Sequence, residues 1–333
     1  MQTFFNTLFL KLLVILFVAL FAIQANAVCN KVGGKLDTSN GATTPVNDVG
    51  ESPPIGNQCN DTPDQYSITF HRMSLCTADP LTGTNPDFTY CEDMLSEGND
   101  KTVLVSKNAE TNFSAPDFDI TPGNNYGYMV ARLSARLGIK HSFTATTAVD
   151  FYSSGGGDGT AGIYCWTVNE TLTGVSNEVI ATPFGNTVSN GASNRSNMNC
   201  SNNTSDLAMA EFSYEVVNVN TSTGCSDFVG ATGDKVSGFD VGNGTAKSMM
   251  MKNATTKAAA CTEVTSIFWV IALDEPYVIT ENSNFLMNFK TTESVSIDFD
   301  GDDVTEPTIL KVGANPIQAF LTITEPTGDE SIQ

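Results

Sequence analysis

Few residues in this chain are equipped for catalysis. Only two histidines occur, His71 and His141. Neither accompanies a Gly-x-Ser-x-Gly elbow or a His-Glu-x-x-His pair, so no hydrolytic triad or metalloprotease centre is spelled out. No Cys-x-x-Cys occurs, and neither histidine stands at ligand spacing from a cysteine, which argues against zinc. Asp37-Thr38-Ser39 begins like an aspartic-protease motif, but Asn40 follows where glycine is needed and no second copy exists. A glycosidase pair of carboxylates is not legible, because its spacing is set in space and not along the chain. The thioethers of Met249, Met250 and Met251 are soft copper(I) ligands, but no histidine lies near them.

The sharpest local feature is acidic. Asp298, Asp300 and Asp302 alternate around Phe299 and Gly301, like the oxygen-rich start of a calcium loop. The pattern departs from an EF-hand: the glycine comes early, and Ile309 stands where the twelfth-position glutamate would be. A weak calcium site is the expectation. The competing reading is an exposed turn after a strand at 295–297. Arg132, Arg136, Lys140 and His141 form the main cationic concentration. They could meet an acidic surface or polysaccharide, or be neutralised by the protein's own carboxylates.

Composition narrows the class. The 333 residues hold 37 Asp and Glu against 16 Lys and Arg, a net charge of −21. Nucleic-acid binding is excluded as an expectation, since phosphate contacts need clustered cations. With 41% hydrophobic residues and 20 Phe, a packed core is expected in place of a disordered acidic tail. Residues 1–27 read as a secretory signal peptide: Lys11, an apolar run from Leu12 to Ile23, then Ala25-Asn26-Ala27. No later run is long and apolar enough for a transmembrane anchor. Ten Asn-x-Ser/Thr sequons are present and would matter only in a glycosylating host.

All eight cysteines, Cys29, Cys59, Cys76, Cys91, Cys165, Cys200, Cys225 and Cys261, follow the cleavage site. An even count in an exported chain predicts disulfides, with connectivity left open. Cys76 and Cys91 flank a turn-rich stretch and could staple it. Cys200 and Cys225 could close the Asn/Ser-rich middle.

Short apolar alternations separated by Thr, Ser, Asn and Gly predict an all-β fold, an antiparallel β-sandwich. Tyr66–Phe70 alternates and then changes face at Met73, which suggests a bulge near His71. Residues 266–273 (SIFWVIAL) are almost continuously apolar, as in a strand covered on both faces. A short helix is expected within 252–261. The expected organisation is signal peptide 1–27, extended polar arm 28–63, β-rich lobe 64–185, Asn/Ser-rich linker or loop 186–205, second β-rich lobe 206–325 and polar tail 326–333; the runner-up is a single large sandwich with 186–205 as an excursion. The linker carries seven Asn, five Ser and two Thr.

These features predict a secreted or cell-surface protein, more structural or adhesive than enzymatic. It would contact copies of itself, a surface protein or a polysaccharide, as in a filament, layer or matrix. The alternative is an extracellular carbohydrate-binding or carbohydrate-cleaving protein, which exposed aromatics near the two Trp would favour.

Overall fold

The computed structural model describes residues 28–39, 57–107, 120–151, 161–169, 171–173, 181–182, 185–186, 188–189, 197–216, 244–259, 263–280, 283–299, 307–314 and 318–324. Among them the chain is all-β and mostly antiparallel. A ten-stranded sheet and an eight-stranded sheet are accompanied by two two-stranded ribbons.

The middle of the larger sheet is Gln65–Cys76, Asn125–Ser134 and Ser266–Val278, in that spatial order. A register shift between Phe70 and Arg72 places a bulge at His71. Trp269 lies opposite Ala131, a large residue beside a small one. Successive side chains of a strand point to opposite faces, and here both faces are covered. Trp269, Ile271 and Leu273 enter the main core, while Phe268 and Val270 enter a second cluster with Cys76, Leu81, Val130, Met249 and Met251. That double burial is why 266–273 reads as one apolar run.

Segment 77–90 covers the second cluster. The Cys76–Cys91 disulfide joins its ends. Phe88 meets Phe268 edge-on at 5.1 Å between ring centroids, and the Arg72 guanidinium lies 3.8 Å over the Phe88 ring.

In the smaller sheet, Val295–Phe299 pairs with Thr308–Ala314 on one side and with Asn57–Asp61 on the other. Val295, Ile297 and Phe299 are buried. Gly162–Thr167 pairs with Met198–Ser201, and Cys165 bonds Cys200 directly across that pairing. A Cβ at Gly162 would lie 2.3 Å from the backbone of Ser201, so only glycine fits there. The main apolar cluster draws from both sheets: Tyr66, Met129 and Trp269 from the larger, Leu36, Phe143, Ile297 and Val312 from the smaller.

Several expectations are corrected. Residues 28–63 are not an extended arm throughout. Lys31–Val32 and Lys35–Leu36 form a hairpin over Gly33 and Gly34, whose φ of +58° and +79° suit glycine. Leu36 pairs with Ala145, Thr38 bonds the hydroxyls of Thr146 and Thr147, and Cys29 is bonded to Cys59. The sheets are not divided at 186–205. Asn125–Ser134 bonds Ser266–Val278, and Ser142–Phe151 bonds Thr308–Ala314, so strands from 64–185 and 206–325 share both sheets. The Asn/Ser-rich stretch itself supplies Met198–Ser201, because Met198 and Cys200 anchor it in the core. Cys200 bonds Cys165, not Cys225. Residues 252–259 form bends and a bridge from Lys257 to Met251, not a helix. Cys225, Cys261 and the segments 1–27 and 326–333 lie outside the described residues.

Candidate functional site

The chain passes between the two sheets at a corner where two crossovers meet. One runs from Asn57–Asp61 in the smaller sheet to Gln65–Cys76 in the larger. The other is a single residue, His141, between Arg136–Lys140 in the larger sheet and Ser142–Phe151 in the smaller. Its backbone is fixed: Thr167 N–H donates to His141 O at 2.9 Å, and His141 N–H donates to Thr167 Oγ1 at 3.1 Å. The His141 ring is 1% exposed, and neither nitrogen has a hydrogen-bond partner among the described residues. Its Nε2 stands 3.6 Å from Asp61 Oδ2. Asp61 Oδ1 accepts from Lys31 Nζ and from Thr62 N–H, both at 2.7 Å. Ser142 Oγ donates to Asp64 at 2.7 Å, joining the two crossovers.

Burial pushes the His141 imidazole below the usual histidine range, against the opposing pull of Asp61 and Asp64. Burial works to raise the Asp61 carboxyl. The charges of His141 and Lys31, with the hydrogen bonds from Lys31 and Thr62, outweigh it and hold Asp61 below the usual carboxylate range.

A second polar tie crosses between the sheets nearby. Asn197 Nδ2 donates to Val312 O at 2.7 Å and to Ser213 Oγ at 2.6 Å, while its Oδ1 accepts from Val312 N–H at 2.8 Å. The side chain thus satisfies both backbone groups of one residue in the smaller sheet while holding the larger. Glu215 accepts from Ala314 N–H at 2.5 Å across the same gap.

No protein-family model, curated protein or solved structure matches the chain. The site must therefore be read from its own geometry.

The sequence-marked residues are scattered. Asp298 is half-buried in Val295–Phe299 and lies opposite Lys311; Asp300 and Asp302 are outside the described residues. Among the described residues no three His, Cys, Asp or Glu side chains gather as a metal would require. The cationic stretch does not form one surface patch. Arg132 is buried, paired with Glu97 and donating to Ser266 Oγ at 2.9 Å. Arg136 lies 3.6 Å over the Tyr214 ring. His71 Nδ1 is 2.9 Å from Asp100. Asp37 bonds the Ser39 hydroxyl and N–H within its own turn. Met249, Met250 and Met251 are buried.

Sequence reasoning missed Asn197, Asp61 and Glu92. Glu92 accepts from Thr121 N–H, the Tyr126 hydroxyl and Asn124, fixing the turn that enters Asn125–Ser134. Burial and the Glu92 carboxylate push the Tyr126 phenol up to about 12. The Tyr126 hydroxyl also reaches back to Thr121 O at 3.2 Å, the geometry of a tyrosine corner.

Three disulfides fit an oxidising compartment. No helix among the described residues is long and apolar enough to cross a membrane.

Proposed function

We propose that this is a secreted or cell-surface, disulfide-stabilised structural or adhesive protein that works by contact. Its partners are copies of itself or a surface protein or polysaccharide. Its two main sheets face each other as an antiparallel sandwich. Support for the sandwich comes from the shared apolar cluster, the Asn197 and Glu215 ties and the Tyr126 corner.

One observation carries the contact reading. Asn284–Lys290 and Gln318–Thr324 form a two-stranded ribbon paired over seven positions, with no further strand on either side among the described residues. Gln318–Thr324 contains neither charge nor proline. Monomeric proteins usually blunt such an edge with lysine or proline. A ribbon of two strands is marginal alone; Phe289, 5.8 Å from Phe70, attaches it to the core. A strand from a second copy can extend it by β-augmentation.

Sedimentation velocity over a wide concentration range tests this. Association is expected, and T322K/T324K is expected to weaken it at least about tenfold by placing charge on the edge. A monomer at all concentrations that turns over polysaccharide would overturn the reading in favour of the enzyme. The aromatics that would favour that rival are not at the tryptophans, since Trp166 and Trp269 are both buried, while Tyr90 is exposed.

A further inference from the structure

We propose that the corner around His141 is an acid-operated latch between the two sheets, closed while the imidazole is neutral and opened when it is protonated. The geometry leaves an added proton no good place. His141 is the single residue joining two strands in different sheets, its ring is 1% exposed, and its nitrogens have no hydrogen-bond partner among the described residues. Four charged groups face it. Asp61 and Asp64 come from the neighbouring crossover, Lys31 from the N-terminal hairpin and Lys107 from the end of Lys101–Ser106. Two carboxylates and two ammoniums already balance; Lys31 and Thr62 N–H hold Asp61 through Oδ1 at 2.7 Å, and Oδ2 stands 3.6 Å from His141 Nε2, beyond hydrogen-bond distance. Protonating His141 therefore places one uncompensated positive charge on a ring that is itself shut off from water, which is costly. Either the Asp61 carboxylate shifts to bring Oδ2 within hydrogen-bond reach of Nε2, straining its Oδ1 bonds to Lys31 and Thr62, or the corner admits water. Both loosen the two crossovers and the hairpin docked on them.

The direction of the pH response follows from burial. Because the folded imidazole titrates below its value in the opened chain, about 6.5, the opened state binds more protons as the medium acidifies. The latch is fully stable above about pH 6.5 and weakens as pH falls below that value, by up to about tenfold in the open-to-closed ratio per pH unit. Asp61 stays ionised to lower pH than an ordinary carboxylate, so the response in this window belongs to His141.

The chain has only two histidines, so H71N leaves a single imidazole to follow by NMR. Its Cε1 proton is expected to titrate below the ordinary histidine range. Hydrogen exchange at 62–65 and 139–143, corrected for the intrinsic rate, is expected to accelerate up to about tenfold per pH unit between pH 6.5 and 5. Exchange at Val130 and Val270, in the middle of the larger sheet, should not follow. In H141Q the acceleration should vanish. Titration of His141 at or above the ordinary value overturns the proposal. So does corner exchange that tracks the sheet centre, or a pH response that survives in H141Q. Should H141Q not fold, the wild-type exchange and the H71N titration still decide.

Discussion

The two faces of the larger sheet are built from the same strand and covered in different ways. Trp269 packs into the main core, to which every strand of the smaller sheet but Lys31–Val32 contributes. Its neighbour Phe268 packs into a small cluster roofed by segment 77–90, whose ends meet at Cys76–Cys91. The difference is one of replaceability. A sheet cannot move without breaking its ladders, whereas a stapled loop can settle onto a void.

The strongest way to break the comparison is to empty each face in turn. W269A is expected to lower global stability by about 3–5 kcal/mol, read as a shift of the whole denaturation midpoint. F268A should cost clearly less, because the cost of a cavity depends on how well its surroundings collapse. Equal losses would show that the loop is as rigid as the sheet. The double variant C76A/C91A comes next. Closing a loop of about 15 residues is worth about 3 kcal/mol, and its loss should expose the small cluster. Dye binding and proteolysis within 77–90 should rise while 266–273 stays protected; protection of the loop in the variant would mean that Phe88 and Arg72 hold it unaided.

N197A is expected to cost about 1–3 kcal/mol, since it strands the buried N–H and C=O of Val312. Chemical denaturation measures it, and a neutral result would mean that water replaces the amide. The smallest effect concerns Asp298, Asp300 and Asp302. Calcium is expected to bind at about 10⁻⁴–10⁻³ M, as in extracellular modules, giving a modest rise in Tm. Identical melting with calcium and with chelator removes that expectation. Lys311, opposite Asp298, already supplies a cation to one of the three carboxylates' neighbourhood.

Local periodicity made the strands legible. Tyr66–Phe70, the bulge at His71 and the doubly covered run at 266–273 are all properties of neighbouring residues. What stayed hidden depends on partners far along the chain. Cys165 and Cys200 are opposed because Gly162–Thr167 pairs with Met198–Ser201, and no spacing rule announces that pairing. Composition suggested a boundary at 186–205, yet one Asn in that polar run, Asn197, is buried and ties the two sheets. Nothing in the run distinguishes it from the other asparagines. The hairpin at Gly33-Gly34 was concealed by its short flanks, two residues each. Of the candidate calcium ligands, only Asp298 falls within the described residues.

The pairing of Cys59 with Ile297 has a consequence for how the molecule is made. A chain leaving a ribosome or a translocation pore emerges from its N-terminus. The strand Asn57–Asp61 emerges well before Val295–Phe299, the strand it must pair with, which lies far along the chain. Until then the smaller sheet cannot close, and pairing at such separation carries a large loop-closure cost. The smaller sheet therefore closes only after Val295–Phe299 has been made. It also exposes unpaired edges for longest at that moment. The Cys29–Cys59 bond, which needs nothing from the later strands, can hold the earlier strand in shape while it waits.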